Sequence, residues 1–136
     1  MLTWACPALG SERPSARTPG KPPPLSRTTA AIARAIAAVV RERGGGFPGV
    51  RALGLSLPRA GHAQVSMNVE DYEASALHDI LERVEREAQE RGVGVKGAEL
   101  VGLMPAGAAV SAAGRMLRID GFNPEHVLEL RLLRRH

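Results

Sequence analysis

The sequence predicts an α+β sandwich built as one domain, and three observations predict it. Apolar residues recur at helical spacing after Thr29 and again after Ser75. Between those segments lie two alternating runs separated by "PRAG", the pattern of a β-hairpin. Helices joined to a small antiparallel hairpin bury their apolar stripes by covering one face of it. With 136 residues, the chain has room for one modest core.

The first 28 residues read differently. "MLTWACPALGSERPSARTPG" and "KPPPLS" are rich in Pro, Ser, Gly and Arg and have no apolar periodicity. The expectation is a disordered Pro/Arg-rich leader over residues 1–28 and a folded unit over 29–136. A Pro-rich ligand for a small recognition domain is the other reading of the leader. Its apolar run has no basic flank and stops at Pro7, unlike a secretory signal. No apolar run approaches the roughly 20 residues that cross a bilayer, so no membrane partner is expected. The lone Cys6 fits a reducing cytoplasm.

"TTAAIARAIAAVVRERGGG" places Ile32, Ile36, Val39 and Val40 on one helical stripe, with a Thr as cap and Gly44 as the residue just past the end. Phosphate-cradling glycine loops precede a helix, whereas these glycines follow one, so they read as a turn. In "GVRALGLSL", Leu53, Leu55 and Leu57 alternate with Ala52, Gly54 and Ser56, and residues 58–61 supply the hairpin turn. The returning "AQVSMNVED" alternates Val65, Met67 and Val69 with Gln64, Ser66 and Asn68. "SALHDILERVEREAQERG" carries Leu77, Ile80, Leu81, Val84 and Ala88 between a Ser75 cap and a Gly92 stop, the best helix in the chain. "VGVKGAELVGLM" predicts a strand bent at Gly94 or Gly97. "PAGAAVSAAGRML" is a weaker, Ala-rich helix opened by Pro105. "NPEHVLELRLLRR" is a last helix with Asn123 as cap, Pro124 at its first position, and Val127, Leu130 and Leu133 on its apolar face. A split βαβ arrangement needs one more strand before the first helix. "GKPPPLS" occupies that place, and proline cannot donate to a ladder.

The net charge of +4 does not make a nucleic-acid surface. Residues 1–28 contribute +3 and residues 131–136 another +3, so the body between them carries −2. A nucleic-acid footprint needs basic residues on a folded face with aromatics to stack on, and aromatics are scarce. His62, His78, His126 and His136 have no metal-ligand spacing and no partner cysteine, so no metal site is expected. His78 beside Asp79 has the elements of an oriented base but stands off the core stripe. Glu82, Glu85, Glu87 and Glu90, interleaved with Arg83, Arg86 and Arg91, read as a solvated helix face. Ser66 lacks the flanking glycines of a nucleophile elbow. Residue chemistry alone reveals no active site.

Three stretches, "GGGFPGVRALGLSL", "AQVSMNVEDYEASALHDILERVEREAQERGVGVKGAELVGLMP" and "DGFNPEHVLE", resemble the C-terminal subdomain of glutamate formiminotransferase. That is the folate-dependent enzyme of histidine breakdown, fused in animals to a cyclodeaminase. The similarity runs from about Thr29 to Glu129, and "AQVSMN" with its acidic turn and "ELVGLMP" are its most specific pieces. The resemblance implies a ferredoxin-like α/β sandwich, here lacking its first strand, and a groove where tetrahydrofolate lies between two such subdomains. The implied reaction moves a formimino group from formiminoglutamate to ring nitrogen 5 of tetrahydrofolate. The family's catalytic histidine belongs to the N-terminal subdomain, and none of the four histidines here aligns with it. No catalytic residue is carried over.

Also without a counterpart are the family's glycine-rich folate loop and the strand before Thr29, and residues 1–28 read as a misread leader on a gene fragment. The chain is then a folate-contacting half, inactive alone, whose partner is a separate N-terminal subdomain. The second reading is a non-catalytic remnant or interaction module that self-associates. On the first reading Gln64, Ser66 and Asn68 face the groove and are the folate-side candidates; a plain solvated strand face is the alternative. Asp71 and Glu99 rank below them, and Glu99 has the simpler role of satisfying backbone at a strand end.

Overall fold

A four-stranded antiparallel sheet carries the helices on one face. The computed structural model describes residues 2–7, 9–10 and 27–134. The elements in chain order are β1 (Leu2–Pro7), β2 (Leu9–Gly10), α1 (Arg27–Val40), β3 (Val50–Leu57), β4 (His62–Val69), α2 (Leu77–Glu90), β5 (Gly94–Val95), β6 (Glu99–Val101), α3 (Ala106–Leu117) and α4 (Leu128–Leu133). The main sheet has the order β3-β4-β1-β6, and β2 pairs separately with β5. Helix and antiparallel sheet are both present, as the helix–hairpin–helix pattern implies.

The hairpin sets the register of everything else. A 3-10 turn over Pro58–Ala60 and Gly61 in the left-handed region (φ 70°) join β3 to β4. That short connection pairs Leu57 with His62 and Val50 with Val69. Ala63, Val65, Met67 and Val69 therefore face the helices and are buried together with Val50 and Ala52. The β4 alternation matches the sequence expectation. On β3 the small residues, rather than the leucines, turn inward.

Gly54 shows why small residues belong there. A Cβ at Gly54 would stand 2.3 Å from the backbone nitrogen of Arg34 and 2.4 Å from the carbonyl carbon of Ala33. The axis of α1 thus comes down directly on β3, and only a residue without a side chain admits it. The buried stripe of α1 is Ala30, Ala33, Ile36, Ala37 and Val40, with Ile32 and Val39 packed at its margin. The helix begins at Arg27, so Thr29 is a buried first-turn residue and not its cap. At its other end a 3-10 turn (Glu42–Gly44) follows, and Gly45, not Gly44, takes the left-handed conformation (φ 77°).

The missing first strand is corrected. β1 lies between β4 and β6, pairing Leu2 with Val69, Trp4 with Met67 and Thr3 with Val101. Proline does exclude a ladder strand immediately before α1, but the strand sits some twenty residues upstream. It ends on Pro7, where a lost donor costs least. The leader expected over 1–28 falls largely on residues 11–26, which lie outside the described residues.

Helix α2 buries Leu77, Ile80, Val84 and Ala88 as its spacing predicts, and Gly92 (φ 72°) ends it. Ser75 does not cap it. Its hydroxyl is buried and donates to the carbonyl of Pro48 at 2.6 Å, pinning the turn before α2 to the lead-in of β3. Glu87 is a second correction, because it is buried and not on a solvated face. Its carboxylate accepts from Arg91 Nη1 at 2.5 Å and from Arg83 Nε at 2.8 Å. Those hydrogen bonds, Arg91's first and Arg83's second, hold the Glu87 pKa below the usual carboxylate value.

The strand expected over "VGVKGAELVGLM" is divided into β5 and β6, with Gly97 between them. The last helix is also divided. Asn123 caps a 3-10 turn over Pro124–His126, its side-chain oxygen accepting from the Glu125 N–H at 2.9 Å, and α4 then restarts. Val127 and Leu130 are half-buried, but Leu133 is exposed. Among the described residues no helix is long and apolar enough to cross a membrane.

Candidate functional site

With one face of β3 and β4 under the helices, the other face stays open. Its residues pair across the hairpin as Arg51 with Asn68, Leu53 with Ser66, and Leu55 with Gln64. Gln64, Ser66 and Asn68 are all half-buried, so they are held by neighbours without being sealed. Leu53 remains 63% exposed and Leu55 40%. Exposed leucines in a row on an open sheet face, set between polar side chains, form a surface suited to contact.

A cleft of about 820 Å³ runs along the first half of this hairpin. Ser66 and Asn68 line it together with Leu53, Arg51, Arg41 and Arg43. Gln64 shares their face but does not line the cleft. The volume lies within the range of small-molecule sites, and the lining mixes an apolar floor with hydroxyl, amide and guanidinium groups. Arg51 pairs with Glu70 at 2.9 Å, both well exposed. The three arginines escaped the sequence reading. The signal for Arg51 was its parity, since period two places it on the same face as Leu53, opposite Asn68.

The lower-ranked candidates lie elsewhere. Asp71 Oδ1 accepts from the N–H groups of Glu73 and Ala74, each at 3.0 Å, so its carboxylate shapes the turn before α2. Glu99 is exposed at the start of β6. His78 lines a different groove of about 1050 Å³ between α2 and α3, with Leu81, Met104, Arg115 and Met116. Its Nε2 stands 3.5 Å from Asp79, and its Nδ1 is buried with no hydrogen-bond partner among the described residues. His126 Nδ1 accepts from the Asn123 N–H at 3.4 Å as part of the cap. His62 opens β4, and His136 lies outside the described residues. Among the described residues no group of three or more His, Cys, Asp or Glu is placed to hold a metal.

Comparison with known proteins gives one consistent answer. Residues 25–124 match the model of the formiminotransferase domain. A glutamate formimidoyltransferase of Streptococcus pyogenes serotype M1 is 38% identical over 103 residues, covering 75% of this chain and 34% of that protein. One from Thermoplasma acidophilum is 31% identical over 108 residues, covering 79% and 36%. The formimidoyltransferase-cyclodeaminase of Mus musculus is 44% identical over 87 residues, covering 60% and 16%. The chain spans about a third of the length of the two single-function relatives.

Proposed function

Because this chain belongs to the formiminotransferase domain family, we propose that it is the folate-contacting C-terminal part of a glutamate formimidoyltransferase. In that reading it binds tetrahydrofolate on the open face of β3 and β4, opposite a separate N-terminal subdomain. The order of elements supports it. Taking β1, α1, β3, β4, α2 and β6 in turn gives βαββαβ, with strand order β3-β4-β1-β6, an order that supports the ferredoxin-like arrangement the resemblance implies. The observation that carries the proposal is the cleft containing Ser66 and Asn68 beside an uncovered Leu53. An apolar floor flanked by a hydroxyl and an amide suits a flat heterocycle with donors and acceptors on its edge.

Transfer to nitrogen 5 needs a base for the attacking amine and an acid for the departing glutamate nitrogen. The side chains around this cleft bind and orient instead. Guanidinium groups stay protonated, and an amide or an unassisted hydroxyl does not take a proton at neutral pH. Glu42 also lines the cleft, but it is exposed, and no hydrogen bond orients its side chain among the described residues. The proton-moving groups accordingly belong to the N-terminal subdomain, and this half is inactive alone. A folate enzyme of this kind, with a single cysteine, fits the cytoplasm.

Titration with 5-formyltetrahydrofolate, followed by amide NMR, tests the proposal. Shifts should concentrate at Arg51, Leu53, Ser66 and Asn68, with a Kd of roughly millimolar order because one wall of the pocket is missing. Shifts confined to the α2–α3 groove around His78, or none, would overturn it. Shifts at Leu53 and Leu55 that grow with protein concentration and ignore folate would favour a self-associating module.

A further inference from the structure

We propose that Arg41, Arg43 and Arg51 form the carboxylate-binding end of this cleft and take the two carboxylates of a glutamyl group. The inference rests on the folate-site reading above and assigns chemistry to residues which that reading leaves unused. The three arginines come from two pieces of chain: Arg41 and Arg43 from the 3-10 turn that follows α1, and Arg51 from β3. They gather in one cleft although the body of the chain carries a net charge of −2. Among the described residues the guanidinium groups of Arg41 and Arg43 have no hydrogen-bond or ion-pair partner, and that of Arg51 has its exposed pair with Glu70.

Capping α1 does not account for Arg41 and Arg43. The carbonyls of Val40 and Arg41 at that end are already satisfied by the backbone. Gly44 and Gly46 donate to the carbonyl of Arg41 at 2.9 and 3.1 Å, and Phe47 donates to that of Val40 at 3.0 Å. The glycine run makes this possible by folding tightly against the helix. A Cβ at Gly46 would stand 2.4 Å from the Val40 carbonyl oxygen. The "RERGGG" segment thus curls back after α1 and sets Arg41 and Arg43 along the cleft that Ser66 and Asn68 also line.

Planar guanidinium groups bind carboxylates through two parallel hydrogen bonds, and a glutamyl group offers two carboxylates. Both reactants of the proposed transfer carry one: the formimino donor, and the tail of the folate. Arginine Nε–Hε resonances of the intact chain distinguish them when three probes are titrated separately. These are formiminoglutamate, 5-formyltetrahydrofolate, and a tetrahydropterin without the glutamyl tail. Shifts at Arg41 and Arg43 with formiminoglutamate assign the donor to this end; shifts with the folate assign its tail. The tail-less pterin should shift neither. Arg41→Ala/Arg43→Ala should weaken the responding ligand about tenfold, and Arg41→Lys/Arg43→Lys should recover part of that loss. Both pairs are exposed, and an unchanged amide spectrum verifies the fold. If the pterin shifts Ser66 and Asn68 while glutamyl ligands leave the arginines untouched, the arginine assignment falls and the folate site stands. If chloride or phosphate displaces the glutamyl ligands at equal concentration, the arginines are a general anion patch and the assignment also falls. No response of the cleft to any probe overturns both.

Discussion

Gly54 admits α1 onto the sheet by having no side chain, and Glu87 braces α2 by a charge held between two arginines of the same helix and its cap. At Gly54 the obstructing atoms are the backbone of Ala33 and Arg34, which cannot swing aside as a side-chain tip would. Gly54→Ala should therefore destabilise the chain by about 2 to 3 kcal/mol, measured by urea unfolding. At Glu87 the folded carboxylate ionises more readily than the unfolded one. Its contribution is present above the ordinary carboxylate range, near ~4.3, and fades as pH falls through the lower folded value. Glu87→Gln should cost about 1 kcal/mol near neutrality, and the gap from wild type should close on acidification. A gap independent of pH would mean that shape, not charge, is what matters there. These residue roles were only partly legible. Ser75 and Asp71 have the right composition for a helix start. Which of them shapes the turn before α2, and which reaches 27 residues back to Pro48, depends on how β3 enters the sheet.

Strand elements were legible where turn and alternation agreed, and obscure where one of them was missing. β4 carries four inward apolar residues in strict alternation, so its faces follow from sequence alone. The faces of β3 required one further step. Once the connection pairs Leu57 with His62, the leucines must share a face with Gln64 and Ser66. β1 offered only a weak signal: Leu2, Trp4 and Cys6 fall at period two, but the run ends on Pro7 after six residues, has no turn to pair it and leads into a tail-like composition. Its central place in the sheet makes a sharp prediction. A chain lacking residues 1–10 should lose cooperative unfolding, because β4 and β6 then have no strand between them. An unchanged thermal transition would remove β1 from the fold. The open-face leucines predict the reverse. Leu53→Ser/Leu55→Ser should change stability by less than about 1 kcal/mol, since both are already exposed, while weakening 5-formyltetrahydrofolate binding measurably.

At the scale of the whole molecule, the described residues put helices on one side of the sheet and leave the other side open. The relatives are about three times as long as the stretch they share with this chain. On the proposed reading the additional chain closes over the cleft from this face. That surface, on the same reading, holds a ligand and presents it, while the side chains described around Ser66 and Asn68 include no oriented base. Sequence carried the family, through the run from the hairpin into α2. It could not carry the cleft itself, which exists only when the end of α1 folds back over β3. The decisive measurement is conversion of tetrahydrofolate, dependent on formiminoglutamate, by the purified chain. It is run with and without the separately folded portion of the Streptococcus pyogenes relative that lies outside the shared stretch. Transfer should occur in the mixture alone. Turnover by the solitary chain at the rate of the mixture would contradict a binding wall that borrows its proton chemistry.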